Sequence, residues 1–102
     1  MPATKEEEDS GVGVDTALRQ PKSYQVIMLN DDYTTRDFVV EVLVEVFRKS
    51  RPEATALMLN IHNEGRTVVG VYSYDIAVSK VRKTAELARK ADFPLRCQIE
   101  EV

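Results

Sequence analysis

The sequence has very little of what builds covalently stapled or metal-rich proteins. It contains one cysteine, Cys97, no tryptophan and one histidine, His62. A single thiol excludes an internal disulfide framework and any multi-cysteine metal site. No apolar run approaches the roughly 18 residues that a membrane span requires. The first twenty residues hold no apolar core of the kind a secretory signal needs. Glycine and proline are also sparse, at four each, so they act as local punctuation.

What remains is the composition of an ordinary folded domain. At 102 residues, 43% hydrophobic and 30% charged, the chain has the size of one domain and is too apolar for wholesale disorder. Its net charge of −3 is unevenly placed. Residues 1–20 carry two bases (Lys5, Arg19) against five acids (Glu6, Glu7, Glu8, Asp9, Asp15), and residues 21–102 carry 12 of each. A generally basic, nucleic-acid-seeking protein is not expected from that balance. With Pro2, Gly11, Gly13 and Pro21 and no sustained apolar periodicity, residues 1–22 read as a disordered acidic leader. It is either a plain solvated tail or an arm that engages a partner. Residues 23–102 read as the folded domain.

From Tyr24 onward the pattern changes. Tyr24-Gln25-Val26-Ile27-Met28-Leu29 is an apolar run rich in strand formers, closed by the turn-prone Asn30-Asp31-Asp32. Polar residues at Asp37, Glu41, Glu45 and Lys49 recur every fourth position and predict a helix over Phe38 to Lys49. Thr34 and Asp37 are its expected capping pair. Ser50-Arg51-Pro52-Glu53 fits a capping box with proline in the first turn, and Gly65 supplies the stop of that second helix. Arg66 to Tyr72 reads as a strand, with Gly70 marking a bulge or a close backbone contact. Ser73 opens a third helix to about Ala91, expected to bury Ala77, Val81, Ala85 and Ala88. After Pro94, the alternation of Leu95, Cys97 and Ile99 with polar residues predicts a half-buried last strand. The order β-α-α-β-α-β implies an α+β fold, with three helices packed on one face of a small three-stranded antiparallel sheet.

A folded core of roughly 80 residues leaves little room for a large catalytic cleft. Chemistry is therefore sought in polar residues at element ends, and two places qualify. The first is Asn30-Asp31-Asp32-Tyr33-Thr34 together with His62. Three acceptor side chains in succession exceed what a turn requires, although Asn30 and Asp31 can shape the turn while Thr34 and His62 cap helices. A small metal-dependent enzyme using Asp31, Asp32 and His62 is a second reading, resting on a weak ligand signature. No recognisable nucleophile and base pair supports a hydrolase. A third reading is a receptor for an ammonium group, whose three donors and positive charge call for several acceptors and a carboxylate. Val39, Leu43, Met58 and Ile61 would supply an adjoining apolar wall, which suits the N-terminus of a chain with a large hydrophobic first residue. His62 accepts only when neutral, so binding is expected to weaken where the imidazole protonates.

The second place is the third helix, where residues 80–90 carry five bases and one acid, against one base and five acids over residues 30–47. Such a run is either a solvated face or a docking surface, and a generic interaction domain stays open as a reading.

Val-Ile-Met-Leu-Asn-Asp-Asp-Tyr-Thr at 26–34, Phe-Val-Val-Glu-Val-Leu at 38–43, Ala-Thr-Ala-Leu-Met-Leu-Asn-Ile-His at 54–62 and Gly-Val-Tyr at 70–72 closely resemble the ClpS family. The likeness continues through Ala77, Lys80 and Val81 to Pro94-Leu95-Arg96-Cys97 and covers about residues 22–102. The resemblance implies an adaptor, not an enzyme. Such an adaptor recognises N-degrons beginning with Phe, Tyr, Trp or Leu and hands them to a ClpA-type AAA+ unfoldase for degradation by ClpP. It also implies that Asn30, Asp32 and His62 hold the α-amino group, with Asp31 supporting that rim. Met28, Thr34, Arg36, Val39, Met58, Ile61 and Leu95, beside Leu43, would form the side-chain pocket. Asp75 and Lys80 match positions that dock the unfoldase's N-terminal domain, and the leader would serve substrate hand-over. A cytoplasmic monomer without cofactor or metal, and without nucleic-acid or membrane partners, is the corresponding expectation. One departure stands out. Where the family usually carries a methionine that rejects β-branched first residues, this chain has Arg36. The long stem of an arginine can cover apolar surface while its head stays wet, so altered selectivity among hydrophobic N-termini is expected.

Overall fold

The strand expected at Tyr24 is the centre of the sheet. The computed structural model describes residues 21–102, so the acidic leader expected over residues 1–22 lies outside the described residues up to residue 20. Strand β1 (Tyr24–Leu29) is followed by α1 (Arg36–Glu45), α2 (Arg51–Glu64), β2 (Arg66–Tyr72), α3 (Tyr74–Ala91) and β3 (Arg96–Glu101). The sheet order is β2-β1-β3, and both pairings are antiparallel. Tyr24 sits opposite Tyr72 and Glu101, and Leu29 opposite Arg66 and Arg96.

Successive β1 side chains point to opposite faces. Val26 and Met28 enter one core with Val39, Val42, Leu43, Ala54, Ile61, Val69, Ala77, Ala88 and Leu95. Burial of a side chain such as Met28 contributes about 1.5–3 kcal/mol. Ile27 is buried on the opposite face, between its cross-strand partners Val68 and Gln98.

The β2 register shifts so that Val26 faces Gly70 while Ile27 faces Val68, leaving Val69 as the extra residue of a bulge. The shift buries Val69 and leaves Val68 and Val71 exposed. Gly70 also makes a close contact: a Cβ there would collide with the ring and hydroxyl of Tyr72. Both meanings expected of this glycine are therefore realised.

The helix limits follow local chemistry, with three corrections. Helix α1 starts at Arg36, not Phe38, and its N-cap is Thr35, whose hydroxyl accepts from the Phe38 N–H at 3.2 Å. The expected cap, Thr34, is instead held by Asp31. The same helix ends at Glu45, short of Lys49. Arg48 adopts φ 59° and the Lys49 N–H turns back to the Leu43 carbonyl, so Glu45 and Lys49 are not one turn apart on a helix. In α3, Val81 is only half-buried and Ala85 is exposed, while Thr84 is buried instead. Its hydroxyl donates to the Lys80 carbonyl at 2.9 Å, which satisfies the polar group inside.

Helix α2 agrees with its sequence signals. Ser50 and Glu53 form a reciprocal capping box, and Gly65 closes the helix at φ 89°, a left-handed conformation costly to residues with a Cβ. The N–H of Asn30 donates to the Gly65 carbonyl at 2.9 Å. That bond joins the loop after β1 to the end of α2.

Candidate functional site

Because the Asn30 loop is tied to the α2 terminus, acceptors far apart in sequence share one rim. A cavity of about 410 Å³ opens there, with Asn30, Asp31, Asp32 and His62 lining it. Thr34, Arg36, Val39, Met58 and Ile61, also expected there, line it too, with Tyr33 and Thr35 beside them. The lining thus combines acceptor side chains with apolar side chains from both α1 and α2.

Asp31 organises the loop. Its Oδ1 accepts the N–H groups of Tyr33 at 2.8 Å and Thr34 at 2.7 Å, and its Oδ2 accepts the Thr34 hydroxyl at 2.7 Å. Burial, the largest single influence, would raise the Asp31 pKa. The hydrogen bonds from Thr34 and Tyr33, aided by the charge of Arg96, outweigh it and hold the carboxyl below its usual value. A carboxylate oxygen takes about two donors, so Oδ2 keeps acceptor capacity. Asp32 is exposed and makes no hydrogen bond among the described residues. It adds a second carboxylate at the rim.

His62 lies in the last turn of α2 and is exposed. Its Nε2 is 3.0 Å from Nη2 of Arg36, the first residue of α1. The guanidinium has donors only, so Nε2 is the acceptor in that contact. Arg36 therefore lines the cavity with its guanidinium against one of the acceptor side chains.

Three residues expected in the side-chain pocket lie elsewhere. Met28 and Leu43 are fully buried in the core cluster that Val39 and Ile61 also join, and neither lines the cavity. Leu95 lines a second cavity of about 520 Å³ with Ala88, Arg89, Phe93 and Arg96. Tyr33 belongs to the candidate segment but has no expected role there, and Thr35 lies just outside it. Their signal was adjacency, because every neighbour in the 30–36 segment lines the cavity.

The two expected docking residues also separate. Asp75 is exposed in the first turn of α3, where a carboxylate suits the positive end of the helix dipole. Lys80 is partly buried: its ammonium donates to the Val46 carbonyl at 2.7 Å and lies 5.3 Å from the Tyr72 ring centre and 5.9 Å from that of Phe47. That cation closes the end of α1. Exposed Tyr74 and Ile76 flank Asp75.

Chemically, the acceptor side chains suit a small cation that donates hydrogen bonds, and the apolar side chains suit a hydrocarbon or aromatic group attached to it. Among the described residues no three His, Cys, Asp or Glu side chains converge to hold a metal ion. No described helix is long and apolar enough to cross a membrane.

These features define a small α+β domain with a cavity lined by α1, α2 and the loop after β1. The family model for ATP-dependent Clp protease adaptor protein ClpS matches residues 19–98. An ATP-dependent Clp protease adapter protein ClpS from Lawsonia intracellularis is 51% identical over 85 residues, covering 83% of this chain and 78% of its own. The protein of the same name from Acetivibrio thermocellus is 52% identical over 83 residues, covering 81% of this chain and 84% of its own. Among solved structures, Agrobacterium tumefaciens ClpS2 bound to L-phenylalaninamide superposes with a TM-score of 0.79 at 42% identity, covering 81% of this chain and all of that one. The chain belongs to the ClpS family of Clp protease adaptors, which are substrate adaptors and not catalysts.

Proposed function

We propose that this adaptor binds proteins through a free α-amino group followed by a bulky hydrophobic first side chain (Leu, Phe, Tyr or Trp) and delivers them to a ClpA-type unfoldase working with ClpP. The observation that carries this reading is the composition of one cavity, lined by four acceptor side chains and by Val39, Met58 and Ile61. The relative solved with L-phenylalaninamide supports it, since that ligand joins a free amine to an aromatic side chain.

In this reading Asn30, Asp31, Asp32 and His62 take the ammonium, and Thr34, Val39, Met58 and Ile61 receive the first side chain. Two carboxylates beside the amine match its charge, and each charged hydrogen bond contributes about 1.5–3 kcal/mol. Arg36 brings a long side chain to the cavity, where it shapes the choice among first residues. Docking to the unfoldase's N-terminal domain uses the exposed start of α3 around Asp75, and the protein acts in the cytoplasm as a monomer.

Titrating Leu-, Phe-, Tyr- and Trp-led peptides against the full chain, with and without a chelator, tests the proposal. Binding that depends on the first residue and ignores the chelator supports it. Binding that vanishes with the chelator, or that is indifferent to the first residue, contradicts it. Arg36→Met is expected to change the ranking of the four peptides.

A further inference from the structure

Arg36 sits where neither helix stability nor any ion pair among the described residues accounts for it. As the first residue of α1 it places a cation at the positive end of that helix dipole, an unfavourable position. None of the ion pairs among the described residues includes it, although Asp32 and Asp37 are close in sequence. Its guanidinium reaches instead to Nε2 of His62 at 3.0 Å.

That contact dictates the state of the imidazole. An arginine can only donate, so Nε2 must accept, and a neutral ring that accepts at Nε2 carries its proton on Nδ1. A ring in this state has no second acceptor. In this contact the histidine's accepting capacity is therefore already taken, by a cation of the same chain.

We propose that Arg36 is an internal occupant of the amine-binding acceptors of the cavity, a guanidinium that an incoming ammonium must displace from His62. The inference rests on the amine-binding reading above and adds a gate to it. Binding becomes an exchange of one donor cation for another at the same imidazole. A ligand without a protonated amine gives nothing in return for the bond it breaks. The gate therefore raises the requirement for a free, charged N-terminus, and it does so by weakening the binding of every ligand, including the preferred ones. It also presets the imidazole tautomer, so that Nε2 is ready to accept once Arg36 swings out.

The experiment uses the full chain and its R36M variant, with L-phenylalaninamide as the probe. Nitrogen-15 spectra of the free proteins report the His62 tautomer. The unsubstituted protein is expected to show the proton on Nδ1, and R36M is expected to shift the ring toward protonation at Nε2. Calorimetric titration is expected to show R36M binding the probe about 3- to 10-fold more tightly, the size of one exposed hydrogen bond. Both readouts are required, because a change confined to the cavity wall alters affinity without altering the tautomer. An Nε2-protonated ring in the unsubstituted free protein, or equal affinity in the two proteins, overturns the gate and leaves the amine-binding reading standing. Failure of both proteins to bind the probe overturns the amine-binding reading, and the gate with it.

Discussion

The backbone N–H of Asn30 donates to the carbonyl of Gly65 across 2.9 Å, joining the end of β1 to the end of α2. Through that bond the loop carrying Asp31 and Asp32 is held beside the turn carrying His62. The acceptor set of the cavity thus depends on a glycine that does not line it.

Gly65 tests this dependence. Nothing lies within 4 Å of a Cβ built there, so the cost of a side chain is the left-handed φ of 89° and not a clash. Gly65→Ala is expected to destabilise the fold by about 1 kcal/mol, lowering Tm by roughly 4–8 °C in a domain of this size. Gly65→Asn is expected to lose less, since asparagine tolerates that conformation. Thermal melts of both variants check the order, and equal melting of Gly65→Ala and the unsubstituted protein contradicts it.

Acid sensitivity is expected to pass through Asp31. Its folded pKa lies below the ordinary value because three hydrogen bonds and the Arg96 charge outweigh burial. A depressed carboxyl contributes stability that is fully present above its unfolded pKa of about 3.9 and is lost as pH falls through the lower folded value. Asp31→Asn keeps an acceptor but removes the charge. Denaturant titrations are expected to show the variant less stable at neutral pH, with the gap narrowing below about pH 4. A gap independent of pH rules out the charged contribution.

Lys80 and Asp75 are expected to behave differently, although the family resemblance proposes both for docking. Removing the Lys80 ammonium strands the Val46 carbonyl at the end of α1, so Lys80→Met is expected to cost about 1–3 kcal/mol. Asp75 is exposed, and Asp75→Ala is expected to stay within about 0.5 to 1 kcal/mol. Melting curves separate the two. Under the proposed docking mode, loss of unfoldase binding in Asp75→Ala occurs without a large change in Tm.

Cys97 is expected to be inert in the folded protein. Burial pushes its thiol up to about 12, and the thiolate is the reactive form. A thiol reagent at pH 8 is expected to react slowly under native conditions and promptly after unfolding. Fast native labelling contradicts the shielding of the Cys97 thiol.

How much of this was legible in the sequence varied with local chemistry. Helix α2 was readable at both ends because Ser50, Pro52, Glu53 and Gly65 each have a specific backbone role. Neither limit of α1 is announced by its residues. Two adjacent threonines compete for the N-cap, and the helix ends before Arg48, a left-handed turn that carries neither glycine nor asparagine to announce it. The polar rim was visible as a run of acceptors, but its depth was not. Met28, Leu43 and Leu95 have suitable side chains, yet packing carries them into the core or to another cavity. Lys80 read as part of a basic face, because no sequence pattern reveals that a lysine reaches a carbonyl on another helix. The Arg36–His62 contact is invisible for the same reason, since it joins two helices whose packing alone brings the residues together.

The central claim is that the cavity recognises a free amine joined to a hydrophobic side chain, and one paired titration tests it most directly. A Phe-led peptide and its Nα-acetylated twin differ only in the charge and donors that the Asn30, Asp31, Asp32 and His62 rim is proposed to receive. The account predicts saturable one-to-one binding of the free-amine peptide and no measurable binding of the acetylated one. Equal binding of the two contradicts it.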